Sequence, residues 1–376
     1  MIITYTIEPE RMTRRYRRLN CFATVLVVAL FSTASHGQDV ETLRLKDYRP
    51  HSVFRVPVTK VTRARYPAID VHAHDYARTP EELDVWVKKM DTLGIEKVII
   101  LSGRTGSEFE KVITRYRRYP NRFEVWCGFD YSGFDQPEWA DRAVAELEKC
   151  YKMGATGVGE ISDKGMGITR SKDDPSRNMH LDDPRMKPLF EKCAELGMPV
   201  NVHVADPYWA YLPMDSTNDG LMSAYRWRID LTREGIYDHA QLLQTLENAV
   251  RDNPRTTFIA CHLANCDFDL SILGRLFDNY PNLYADISAR YYQTATIPRH
   301  VRSFYTKYSN RLLYGTDMST ASEMYRFTFR VLQTADEHFY FRYTYHWPLY
   351  GLDLDDDVLR KLYRDNALKL LNKNNQ

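Results

Sequence analysis

The chain of 376 residues lacks an excess of either charge. Its 51 Lys and Arg stand against 50 Asp and Glu, a formal net charge of +1. That balance argues against the basic surface on which nucleic-acid binding rests. Cys-x-x-Cys is also missing. Beyond Cys21, the odd set Cys127, Cys150, Cys193, Cys261 and Cys266 is irregularly spaced. This excludes a thiolate zinc knuckle and a disulfide framework, and leaves buried thiols in strands and helices. The apolar run at 22–31 is only ten residues long, too short to span a bilayer comfortably. No internal repeat or low-complexity tract is evident.

What the N-terminus does contain has the order of an export signal. Arg14, Arg15, Arg17 and Arg18 precede the 22–31 apolar run, small residues follow, and cleavage falls after Ala34 or Gly37. Residues 1–37 therefore read as a signal peptide, which places the mature protein in the periplasm or outside the cell. The ordinary secretory route and, from Thr13-Arg14-Arg15, a twin-arginine route both fit; an uncleaved anchor is the remaining reading. Residues 38–66 are polar and irregular, a lead-in arm.

From Pro67 onward short apolar runs alternate with amphipathic segments. The runs fall at 68–74, 97–102, 123–129, 156–161, 199–205, 257–262, 283–288 and 311–316. The helical patterns fall at 79–93, 107–119, 136–153, 183–196, 239–253, 269–280, 298–310 and 319–333. Gly94, Gly154 and Gly197 each stand where a helix should close before a strand. Eight β–α units predict an all-parallel sheet, and the 67–333 length suits a closed (β/α)₈ TIM barrel. An open doubly wound sheet would carry a glycine-rich phosphate loop after the first strand, where His-Ala-His stands instead. Two features extend the expected barrel: a long aromatic insertion after strand five, 206–238, and a closing C-terminal helix, 355–371. The barrel domain is expected to run over 67–376.

The first run, Ala-Ile-Asp-Val-His-Ala-His-Asp, carries His72 and His74 two apart. On a strand such residues face one side, and this places both imidazoles, with Asp70 behind them, on the same face. Such a pair is half of a first-row metal site, or else a chance pair on a solvated edge. In a parallel barrel functional groups collect at the C-terminal strand ends. Glu160 ends the fourth run, His203 the fifth, His262 the sixth and Asp317 the eighth. Arg290, just past the seventh, is placed either to fork onto a substrate carboxylate or to pair with Asp286. Trp209 and Arg226 stand in the insertion as candidates to close over substrate. Asp206, Asn265 and Asp267 are candidates to orient the ligands.

This set resembles the amidohydrolase superfamily, and within it the amidohydrolase 2, or amidohydrolase-related, branch of metal-dependent (β/α)₈ hydrolases. His-x-His on strand one, single His on strands five and six and Asp on strand eight match in order and spacing. The resemblance implies that His72, His74, His203 and Asp317 bind a divalent metal, Zn²⁺ first and Mn²⁺ second. It makes His262 a catalytic or second-metal residue, and Glu160 a ligand if it faces the metal. One or two ions remain open on that point. The chemistry implied is hydrolysis of a small-molecule ester, lactone or amide by metal-activated water, with Asp317 moving the proton and His262 polarising the carbonyl. The alternative in the same lineage is a non-oxidative decarboxylase of an aromatic or muconate-like acid. A barrel used only for binding, and a phosphodiesterase of the TatD kind, fit the residues less well. The expected partner is a small-molecule substrate, without nucleic acid and with no membrane beyond the signal; a homo-oligomer is open.

Overall fold

The computed structural model describes residues 39–168, 178–341 and 346–371. The signal-peptide reading of residues 1–37 lies outside them, as does part of the polar stretch after the fourth strand. The chain divides into Met1–Leu43, of which residues 39–43 form a short turn, and Arg44–Gln376. Everything below concerns the second unit. Among the described residues no helix is long and apolar enough to cross a membrane.

All eight predicted strands are present: β1 Ala68–Ala73, β2 Ile95–Leu101, β3 Phe123–Trp126, β4 Val158–Asp163, β5 Val200–Val204, β6 Phe258–Ala260, β7 Leu283–Asp286 and β8 Leu312–Leu313. Every pairing is parallel, β1-β2-β3 and β4 through β8 in sequence order. Hydrogen bonds complete the ring at both seams. Gly159 N donates to Cys127 O at 2.8 Å between β3 and β4. Val71 N donates to Tyr314 O at 2.9 Å between β8 and β1. The architecture is the (β/α)₈ barrel.

The connecting helices are α1 Pro80–Leu93, α2 Gly106–Tyr116, α3 Trp139–Lys152, α4 Lys187–Glu195, α5 Leu221–Trp227, α6 His239–Asp252, α7 Leu270–Asn279, α8 Tyr291–Thr294, α9 Pro298–Lys307 and α10 Ser322–Gln333. Local chemistry fixes several ends. Thr79 with Glu82 and Asp238 with Gln241 form reciprocal caps at the starts of α1 and α6, and Gly94 closes α1 at φ +76. The two short helices α5 and α8 lie in stretches too brief to show a period. A final helical stretch over 356–371 includes a π turn at Lys361–Asp365.

Two apolar layers result. Between strands and helices lie Val98, Val125, Val200, Val202 and Phe258 with Trp86, Phe109, Phe190 and Leu246. Inside the barrel Ile69, Val71, Ile99, Leu101, Trp126, Ile259 and Leu313 pack together, and Ala367, Leu370 and Leu371 of the final helix cover them. The barrel interior is thus filled and plugged on that side, leaving the opposite, C-terminal strand ends for the site. The five cysteines Cys127, Cys150, Cys193, Cys261 and Cys266 are free and buried.

Register on β1 departs from simple alternation. The pairing with β2 shifts between Asp70 and Ala73, an irregularity that re-aims the following side chains. Ile69 and Val71 lie in the inner layer, yet His72 faces inward too. Asp70 instead turns to the outer layer. Its carboxylate accepts from Thr316 Oγ1 at 2.6 Å and from the Tyr325 hydroxyl of α10 at 3.0 Å. The expectation that Asp70 stands behind the two imidazoles on one face is therefore corrected.

Candidate metal centre

Three imidazoles converge at the C-terminal strand ends with their Nδ1 atoms already engaged. His72 Nδ1 lies 2.9 Å from Asp286 Oδ2, His74 Nδ1 3.0 Å from the Leu101 carbonyl, and His262 Nδ1 3.0 Å from the Ser288 carbonyl. A carbonyl only accepts, so in His74 and His262 Nδ1 donates its proton and Nε2 is the atom turned towards the cluster. Carboxylate and carbonyl braces of this kind orient metal-binding histidines. His72 Nε2 is buried and has no hydrogen-bond partner.

Two carboxylates meet those nitrogens. Asp317 Oδ1 is 3.0 Å from His74 Nε2 and 3.7 Å from His72 Nε2, and its Oδ2 is 3.6 Å from His262 Nε2. Glu160 Oε1 is 3.9 Å from His72 Nε2 and 3.7 Å from His262 Nε2, while Oε2 is 3.7 Å from His74 Nε2. Two compact groups of potential ligand atoms follow: His72, His74 and Asp317; and His72, Glu160, Cys261 and His262. His203 is in neither. Its Nδ1 lies 2.6 Å from Glu160 Oε1, and its Nε2 is buried and unpartnered. Glu160, at the edge of the sequence reading, is at the centre of the structure.

The electrostatics call for a cation. Burial pulls the His72 imidazole down, but Asp286, Asp317 and Glu160 outweigh it and hold it up at about 10. Burial likewise raises Asp317, yet the imidazoles of His72, His74 and His262 keep it at about 2. Glu160 is held well below the usual carboxylate range against its burial, first by His203. His262 is pushed down to about 4 by burial and by the neighbouring imidazoles. Proton retention on His72 far above neutrality marks the place where positive charge is favoured, and orphaned, pre-oriented nitrogens surround it. The donor set fits a divalent metal.

Residues 69–373 match the sequence profile of the amidohydrolase family. The chain belongs to the amidohydrolase family. Members of this family are metal-dependent enzymes, hydrolases or decarboxylases. No curated protein sequence matches this amidohydrolase significantly. Solved structures do. An uncharacterised TIM-barrel protein from Bordetella bronchiseptica shares 18% identity at a TM-score of 0.53, over 82% of this chain and 99% of that one. Dihydroxybenzoic acid decarboxylase from Polaromonas sp. JS666, solved with manganese and 2-nitroresorcinol, shares 14% at 0.52, over 83% and 98%. At such identities the likeness shows the barrel fold.

Around the amidohydrolase centre, sequence reasoning named Asp286 only as a partner for Arg290 and missed its place behind His72. Its Oδ2 braces His72, and its Oδ1 accepts the backbone N–H groups of His262 at 3.0 Å and Ser288 at 3.1 Å. Standing at the end of β7, it had the same strand-end signal as the other acids. Arg290 is buried and does not pair with Asp286. Its Nε is 3.2 Å from Asn265 Oδ1 and 3.5 Å from Asp267 Oδ1. Asp206 pairs with Lys164 at 2.7 Å. In the insertion, Trp209 packs against Trp347 and under Gly220. Arg226 is exposed and lies on the neighbouring Tyr225. The structure therefore brings together His72, His74, Glu160, His203, His262 and Asp317, and leaves Arg226 on the surface.

Proposed function

We propose that the chain is a metal-dependent hydrolase of a small ester, lactone or amide. The observation that supports it is the convergence of the His72, His74 and His262 Nε2 atoms on two ionised carboxylates at the barrel mouth. His72, His74 and Asp317 would hold a divalent cation, Zn²⁺ before Mn²⁺, with Glu160 beside them; His203 joins through its unpartnered Nε2. Such a cation supplies Lewis acidity, polarising a carbonyl and acidifying water.

The chain's own residues do the rest. Asp317, kept ionised by its imidazole neighbours, accepts a proton from water and returns it to the leaving group. His262 presents a lone pair, which suits a ligand or a proton acceptor; polarising a carbonyl would need a second proton that burial disfavours. Exposure rises across the cluster from His72, fully buried, to Asp317 and His74, whose side chains are 23% and 34% exposed. Substrate therefore enters over the His74–Asp317 side. Arg290 and Trp209 are assigned to substrate contact from their loops. Export by residues 1–37, ahead of an arm at 38–66 and the barrel at 67–376, completes the proposal; the N-terminal sequence of the mature protein tests it.

Asp317→Asn tests the chemistry. The expected result is loss of turnover with bound metal retained, measured on a panel of lactones, esters and aromatic carboxylates. Undiminished hydrolysis by the variant overturns the role of Asp317. Release of CO₂ from the carboxylates by the wild type, without hydrolysis of the others, replaces the hydrolase by the decarboxylase reading.

A further inference from the structure

The cluster contains a sulfur that neither the family match nor the reaction accounts for. Cys261, the residue before His262, is fully buried. Its Sγ lies within 4.8 Å of ligand atoms on His72, Glu160 and His262, and 2.8 Å from Asn201 Oδ1. Among the described residues it is the one cysteine placed in such a group.

The two ligand groups share His72, and that sharing decides how they relate. His72 Nδ1 is committed to Asp286, so only Nε2, buried and unpartnered, is left to bind. One nitrogen lone pair binds one cation. The groups therefore outline a single position approached from two sides: His74 and Asp317 from the open side, Glu160, His262 and Cys261 from the barrel interior.

We infer that Cys261 Sγ is a ligand of the cation held at this position, and that the site selects a thiophilic ion (Zn²⁺, Co²⁺ or Cd²⁺) over Mn²⁺. Softness of the donor sets this preference: thiolate favours zinc and its soft congeners, whereas carboxylate and water favour manganese. Coordination displaces the thiol proton to solvent. The inference rests on the metal-dependent reading above and adds to it the class of metal.

The experiment is a Co²⁺ titration of chelator-treated full-length protein, read by absorption. The expected spectrum has visible d–d bands together with a near-ultraviolet sulfur-to-cobalt charge-transfer band. Cys261→Ser should keep the visible bands and lose the charge-transfer band. Its Cd²⁺ affinity should fall by about tenfold or more while Mn²⁺ affinity holds. Cys261→Ala serves if the serine variant fails to fold, and the wild-type spectrum decides by itself if both do. Visible bands without charge transfer in the wild type, or charge transfer persisting in a folded Cys261 variant, overturn the sulfur ligand and leave the metal site standing. Absence of any cobalt spectrum in the wild type overturns the metal-dependent reading, and this inference with it.

Discussion

Residue by residue, the site depends on what lies behind it as much as on what lines it. Gly315 shows this. A Cβ there would stand 2.8 Å from the Cβ of His72 and 3.2 Å from that of Ser288, closer than atoms in a packed core tolerate. Gly315→Ala should destabilise the protein by about 1–3 kcal/mol and lower its metal content by displacing His72. Denaturant unfolding and metal analysis check it; unchanged metal stoichiometry would show that Gly315 does not set the position of His72. The same residues mark how far the sequence could be read. His72, His74, Glu160, His262 and Asp317 were legible because each ends an apolar run. The inward turn of His72 past Asp70 was not, because a register shift leaves no trace in an alternating pattern. Nor was the commitment of His203 Nδ1 to Glu160, which depends on a side-chain rotation rather than a position.

Elements carry a second pattern. After four successive strands the chain turns through left-handed backbone at residues other than glycine: Ala205 at φ +62, His262 through Asn265 at +57 to +54, Ala289 at +53 and Asp317 at +49. Each L-residue there costs about 1–2 kcal/mol, and the cost falls on the rim that presents the site. Ala289 has no side chain in the cluster, so it isolates the effect. Ala289→Gly should be neutral or stabilising by up to about 1 kcal/mol, because relief of strain offsets the greater freedom of the unfolded glycine. Ala289→Val should destabilise by more than about 1 kcal/mol, since branching at Cβ worsens the left-handed fit. Thermal unfolding of the pair checks the order; equal stability would show that the rim is unstrained at this residue. The strands themselves were legible to within a few residues, since parallel strands buried on both faces read as apolar runs. Only Leu312–Leu313 of the last run is a strand, although Tyr314 O and Asp317 N continue the bonding to β1.

Across the whole molecule, the arm over 44–66 is tied to the barrel by a buried acid. Asp336 accepts from Thr59 Oγ1 at 2.6 Å, from Thr59 N at 3.1 Å and from Arg330 Nε at 2.7 Å. Burial raises its pKa, but these donors outweigh it and hold the carboxyl below its usual value. A depressed folded pKa contributes stability above the unfolded value and loses it as pH falls through the folded one. Asp336→Asn should therefore cost about 1.5–3 kcal/mol near neutral pH, and the gap to wild type should narrow below about pH 4. Chemical denaturation at neutral and acidic pH reads the gap; a gap independent of pH would remove the ionised Asp336 from the account. The arm was legible only as an absence of pattern, since its anchor is a contact across 277 residues of sequence.

One hydrogen bond at the ring seam reaches further than stability. Asp317 N donates to His72 O at 2.8 Å, so the first and the last strand ends meet where the ligands meet. No fragment ending before Asp317 holds the cluster, however well its earlier β–α units have folded. During synthesis the site is accordingly among the last features to appear, and under the proposed export a chain threaded unfolded through the membrane would take the proposed metal on the far side. Under that proposal, metal acquisition is a property of the compartment in which the ring closes, not of the one in which the chain is made.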